Sequence, residues 1–159
     1  MRFIDRSDAG RQLAKALERF REWHPVIIGL PRGGVPVACC VAEALDAALD
    51  VIVVRKLVLP GDPEFGVGAI AEDSVIVFDH DAIASGAVEQ DALSTEIDRE
   101  MQVLRRRVTR IRDHSSPVPL KGRMTIIVDD GLSTGLTARA ACRVARRRGA
   151  SSVVLATPV

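Results

Sequence analysis

Apolar and polar positions fall along this chain in blocks that predict strands and helices by turns. Short, nearly unbroken apolar runs stand at residues 26–30 (Val-Ile-Ile-Gly-Leu), 51–54, 124–128 and 152–156. Their length and β-branched content predict strands buried on both faces. The segments between them follow a helical period. Residues 8–23 place Leu13, Leu17 and Phe20 on one face, with Ser7 as the cap. Residues 35–48 form an alanine-rich helix, and residues 136–148 another. Residues 91–112 carry Leu93, Ile97, Met101, Leu104, Val108 and Ile111 at spacings of three and four, the stripe of an amphipathic helix. That stripe serves either packing on the sheet or contact with a second copy, as a homodimer. Residues 68–71 and 75–78 predict a hairpin around Glu72-Asp73-Ser74. Residues 55–67 hold Pro60, Gly61, Pro63 and Gly66 and predict a loop long enough to be a lid.

Strands alternating with helices predict a three-layer, doubly wound α/β fold around a mostly parallel sheet, with a small hairpin and flexible loop. A length of 159 residues fits one domain over 1–159, since two would each have a very small core. Ligands in such folds bind beyond the carboxyl ends of the strands. Three loops occupy that position: residues 31–36, 55–67 and 129–135.

Composition narrows the function. Aromatic residues make up 3%, with no Tyr and one Trp, so base-stacking recognition of nucleic acid is not expected. A net charge of +1 gives no bulk attraction to nucleic acid or membrane. The basic runs Arg105–Arg107 and Arg146–Arg148 read as solvated helix faces. No apolar run reaches membrane-spanning length and no signal-peptide core opens the chain, so a soluble, cytoplasmic protein is expected. Cys39, Cys40 and Cys142 lack metal or disulfide spacing and read as small core residues.

The chemistry concentrates at Asp129-Asp130-Gly131-Leu132-Ser133-Thr134-Gly135-Leu136-Thr137. Two carboxylates end an apolar strand, and glycines with small hydroxyl residues then lead into a helix. Unpaired N–H donors at a helix start carry positive partial charge and cradle an anion. Ser133, Thr134 and Thr137 add hydroxyl donors, and glycines let the main chain come close. Carboxylates beside such a cradle would repel the anion itself, so they point to something attached to it, such as sugar hydroxyls. A ribose 5-phosphate satisfies both halves.

This segment resembles the phosphoribosyl pyrophosphate (PRPP) signature of type I phosphoribosyltransferases. The resemblance implies that Asp129 and Asp130 hold the ribose 2- and 3-hydroxyls. It assigns the 5-phosphate to Gly131, Leu132, Ser133, Thr134, Gly135, Leu136 and Thr137. Leu30-Pro31-Arg32-Gly33-Gly34-Val35-Pro36 resembles the family's pyrophosphate loop, with Arg32 supplying charge and Gly33-Gly34 close backbone approach. Taken alone, that segment is equally an ordinary Gly-Gly turn. Arg55 and Lys56 resemble a basic pair that meets pyrophosphate, and residues 55–67 match the flexible catalytic loop in position. More narrowly, residues 63–73 and 129–137 resemble predicted stand-alone bacterial members. Catalysis by Asp129, Asp130 and Lys56 is implied, with Mg²⁺ held by PRPP oxygens and water and no protein metal ligand.

Departures accompany the match. Gly131 stands where an aliphatic residue is frequent, and Leu136 where a small one is. Residues 113–117 lack expected arginines and glycines. The chain stops at Val159, directly after the last strand, where the family commonly continues into acceptor-binding residues. An acceptor site is therefore expected to be incomplete, built elsewhere or supplied by another chain. Competing motifs lack their context: Gly66-Val67-Gly68-Ala69-Ile70-Ala71 does not join a strand to a helix, as a dinucleotide fingerprint must. There is no P-loop, and Ser133 has no nucleophile elbow. The expected function is transfer of the phosphoribosyl group of PRPP to a nitrogen acceptor. The alternative is a non-catalytic PRPP- or nucleotide-binding regulator.

Overall fold

The computed structural model describes residues 3–59, 62–85 and 89–159, without the side chains of residues 63–65. Pro60 and Gly61, at the tip of the expected lid, lie outside the described residues.

Four parallel strands form the central sheet: β1 (Val26–Gly29), β2 (Ala48–Val51), β6 (Met124–Val128) and β7 (Ser152–Ala156), in the order β2-β1-β6-β7. Alternate residues of the two middle strands feed opposite faces, as the pleat requires. Ile27, Ile126 and Val128 pack under α1 (Arg6–Leu17) and α2 (Gly34–Leu45). Val26, Ile28 and Ile127 pack on the other face with Leu136, Ala140, Ala141 and Val144 of α5 (Leu136–Arg147). Both faces are therefore covered, which explains why these strands read as continuous apolar runs.

Residues 55–59 and 62–67 form strands where a loop is expected. They lie in a second, antiparallel sheet of β3 (Val54–Leu59), β4 (Asp62–Ala71) and β5 (Val75–Phe78), in sequential order. Pro63 and Gly66 coincide with irregular pairing, because the β3–β4 register shifts between Leu57 and Val58 and again before Leu59. Such bulges accommodate residues that would weaken a regular strand. Burial overrides the turn composition: Leu57 and Val67 are both fully buried. They share a cluster with Leu93, Ile97, Met101, Leu104, Val108 and Ile111 of α4 (Gln90–Arg112). The stripe of α4 thus packs on this small sheet. Buried Glu72 secures the switch from one sheet to the other, accepting from Val53 N (2.8 Å) and from Arg148 Nη2 (2.7 Å).

Other boundaries shift for local reasons. Asp5, not Ser7, caps α1 by accepting from Asp8 N at 2.7 Å, which starts the helix two residues earlier. A 3-10 turn over Glu18–Trp23 replaces its expected last turns. A short helix that the sequence pattern does not predict, α3 (His80–Ala84), is capped by Asp79. Cys39 is exposed rather than part of the core. No described helix is long and apolar enough to cross a membrane.

Thr125 is fully buried in β6, and its hydroxyl has no hydrogen-bond partner among the described residues. Thr125→Val keeps the shape and removes the stranded polar group. It is expected to raise stability by about 1 kcal/mol, read as a higher midpoint in chemical denaturation.

Candidate functional site

The sheet order creates a crevice at one place. From β1 the chain crosses through α2 to β2 on one side, and from β6 it crosses through α5 to β7 on the other. Connections diverging from two adjacent parallel strands leave a gap at their carboxyl ends, the switch point where α/β folds bind ligands. Residues 30–34 and 129–135 face each other across it.

The two loops are in direct contact. Leu30 N donates to Val128 O at 3.0 Å. A Cβ on Gly34 would stand 2.6 Å from Val128 O and 2.9 Å from Asp129 Cα. A Cβ on Gly33 would overlap the Asp130 carboxylate. The close approach that Gly33-Gly34 permits is thus made first to the acidic pair. The Pro31–Arg32 peptide is cis.

Asp129 and Asp130 leave β6 together. Asp129 N donates to Ala156 O (3.3 Å), and its carboxylate accepts from Asp130 N (2.9 Å). Partial burial pushes the Asp129 carboxyl above its ordinary value; the Asp130 N–H opposes that, and the Asp130 charge adds to it. Asp130 Oδ2 accepts from both Nε and Nη2 of Arg6, at 2.9 and 2.8 Å.

Beyond the pair, Gly135 turns the chain into α5 with φ at +74°, a left-handed conformation that favours glycine. No side chain caps this helix and its first turn holds no acid. The first main-chain donors and their partial positive charge are therefore left without a side-chain partner from their own helix. Ser133 and Thr134 are exposed and Thr137 is half-buried. Leu136 is 2% exposed and belongs to the core, so its main chain alone can serve a ligand. The bulk that set it apart in the sequence fills the interior. Gly131 has ordinary space around it, its nearest neighbour being Val159 at 3.5 Å from an added Cβ. Leu132 is 49% exposed, and its N–H donates to Val159 O at 3.2 Å.

The basic residues divide. Arg55 and Lys56 are consecutive on β3 and so point to opposite faces. Arg55 turns to α4, where Nε donates to Oε2 of buried Glu100 at 2.6 Å. Lys56 is exposed and lies across Gly66, with Cε 2.5 Å from where a Cβ would be. Arg107, read from sequence as a solvated position, is half-buried. Burial pulls its guanidinium below the ordinary value, and the nearby charges of Arg55 and Arg32 add to that. Arg107 thus lies within the field of Arg32 and Arg55. The sequence signal for it was indirect: Glu100 and Arg107 lie two turns apart, hence on one face of α4. Arg148, also read as solvated, instead pairs with Glu72 and Asp73 at 2.7 Å each.

A parallel sheet of this order, with helices on both faces and a crevice at its switch point, is that of the doubly wound α/β proteins. Known proteins narrow the class. Residues 6–159 match the family described as phosphoribosyl transferase domain. A Mycobacterium tuberculosis H37Rv protein, provisionally named a phosphoribosyl transferase, is 49% identical over 157 residues, 99% of this chain and 35% of its own length. The crystal structure of TT1426 from Thermus thermophilus has a TM-score of 0.78 at 43% identity, over 99% of this chain and 74% of that one. The purine phosphoribosyltransferase of Pyrococcus horikoshii shares the fold, with a TM-score of 0.51 at 21% identity over 92% and 69% of the two chains. The chain belongs to the phosphoribosyl transferase family. It spans about a third of the length of the curated relatives it matches.

Proposed function

We propose that this chain binds PRPP with Mg²⁺ and transfers its 5-phosphoribosyl group to a nitrogen acceptor. The observation that carries this reading is the convergence at one switch point of Asp129-Asp130, the uncapped start of α5 and Arg32. One part suits a diol, the next a phosphate, and the last a leaving polyphosphate.

In the reaction the bond from C1 to the pyrophosphate oxygen breaks and a bond from C1 to nitrogen forms. The pyrophosphate leaves with the electron pair, and the acceptor's surplus proton passes to solvent. Positive charge builds on the sugar and negative charge on the leaving group, so catalysis is positioning and electrostatic stabilisation. Asp129 and Asp130 accept from the ribose 2- and 3-hydroxyls. The main chain of residues 131–137, with the hydroxyls of Ser133, Thr134 and Thr137, holds the 5-phosphate. Arg32 neutralises the pyrophosphate, with Arg55, still paired to Glu100, and Arg107 adding to its field. Lys56, exposed on the opposite face of β3, approaches only from that side. Among the described residues no group of three or more His, Cys, Asp or Glu gathers to hold a metal. An ion that keeps most of its waters and arrives on substrate oxygens needs no such group. Mg²⁺ bound with PRPP would offset the charge of the leaving pyrophosphate, and no protein ligand is assigned to it.

Calorimetry with PRPP and Mg²⁺ tests the binding claim, with a dissociation constant at or below the millimolar range expected. Pyrophosphate release across a panel of nucleobases and amines then tests turnover. Binding with no release for any acceptor would replace the transferase by the PRPP- or nucleotide-binding regulator. Absence of binding would sink both.

A further inference from the structure

One contact at the crevice has no explanation in local structure. Arg6 is the first residue of α1, and it reaches Asp130 across 124 positions of sequence. A cation at a helix start is disfavoured, because the main-chain dipole already places positive charge there. The same helix start carries the acids expected of it: Asp5 accepts from Asp8 N, and Asp8 accepts from Ile4 N at 3.2 Å. Arg6 thus holds a position its own helix would give to another residue. Packing does not account for it either, since its side chain is 61% exposed.

The geometry at Asp130 is selective. Both Arg6 nitrogens converge on Oδ2, while the carboxylate lies over the Cα of Gly33. Arg6 thus fixes Oδ2 alone, and Oδ1 is left out of the clamp. Asp130 also follows a second carboxylate, Asp129, whose charge would otherwise push it away. Asp130 and Arg6 line a cleft with Phe3, Ala9, Val37 and Pro158.

Resting on the reading of Asp130 as a ribose ligand, we propose that Arg6 is a positioning residue for the diol. It clamps one oxygen of Asp130 so that the other meets a sugar hydroxyl. The contrary role is a plug that the ligand must displace, which would make binding tighter when Arg6 is removed.

Calorimetry with ribose 5-phosphate and with inorganic phosphate separates these roles. In the wild-type chain ribose 5-phosphate should bind more tightly than phosphate. Arg6→Ala should weaken ribose 5-phosphate about threefold to fivefold, the range for a partly exposed pair, and leave phosphate unchanged. Arg6→Lys should restore most of the loss, and it carries the test if Arg6→Ala fails to fold. In an Asp130→Asn background Arg6→Ala should add nothing. Unchanged or tighter ribose 5-phosphate binding by Arg6→Ala overturns the proposal, as does an equal loss for phosphate or an undiminished loss without Asp130. A wild-type chain that does not prefer ribose 5-phosphate over phosphate overturns the parent reading, and this inference with it.

Discussion

Replacing Asp129 and Asp130 together by Asn should weaken PRPP binding on the order of a hundredfold, while inorganic phosphate keeps its affinity to within about twofold. A hydrogen bond to a charged group contributes about 1.5–3 kcal/mol, and the diol makes two. Asn retains one acceptor, so part of each bond survives and the combined loss is set at about 3 kcal/mol. On the proposed reading, free phosphate would meet only the start of α5 and the hydroxyl loop. Removing two negative charges beside that cradle lowers the repulsion it faces. Equal losses for both ligands would contradict the ribose role and make the acids mere supports of the loop.

The same variant separates binding from folding. Asp129 is half-buried beside another carboxylate, and its carboxyl titrates above the ordinary 3.8. Between that value and the higher folded one, the unfolded chain binds fewer protons than the folded chain. Its contribution to stability therefore falls as pH rises through that window and is unfavourable at neutral pH. The size is discounted for remaining exposure to solvent. Asp129→Asn should accordingly leave the melting temperature at pH 7 unchanged or raised, even as it removes affinity. A lowered melting temperature would mean the carboxylate supports the fold. The wild-type chain should also lose PRPP affinity on acidification at a higher pH than an unperturbed Asp would dictate, by a step absent from Asp129→Asn.

Much of this is legible in the order of residues, and the exceptions share one cause. Strands β6 and β7 appear where the apolar runs stand, and the loop after β6 has the open helix start that its glycines and hydroxyls require. These depend on neighbours in sequence. The β3–β4 hairpin is hidden because prolines and glycines mask its alternation, while the force that makes it a sheet is burial of Leu57 and Val67 under α4. Arg55 reads as a free cation because Glu100, its partner, lies 45 residues away. Arg6 stands out in no local pattern because Asp130 is 124 away. Charge pairs of this kind leave no periodic trace, so a local pattern identifies the charged residue and not its partner.

The pair of glycines facing the acids yields the second large effect, and here two principles predict opposite signs. Gly34 opens α2, where replacing Gly by Ala stabilises an exposed helix by about 1 kcal/mol. In this fold the added Cβ would stand 2.6 Å from Val128 O and 2.9 Å from Asp129 Cα. Both are main-chain atoms of the central strand and its exit, so no rotamer change relieves the overlap. Loop or strand must shift, and overpacking of this kind costs about 1–3 kcal/mol. Gly34→Ala should therefore lower the denaturation midpoint by an amount near the upper end of that range, with PRPP affinity falling as the crevice widens. Gly33 differs in what it meets. Its Cβ would overlap the side chain of Asp130, which can swing away at the expense of its bond to Arg6. Gly33 already has φ −65° and ψ −36°, values that alanine adopts freely. Gly33→Ala should leave stability within about 1 kcal/mol, an exposed ion pair being worth no more, yet still lose ribose 5-phosphate selectivity over phosphate. Denaturation and calorimetry on both variants decide the matter. A more stable Gly34→Ala would show that helix propensity outweighs contact and that the two loops are not pressed together. An unselective and unstable Gly33→Ala would place Asp130 in the framework of the fold, its carboxylate serving the loop more than the sugar.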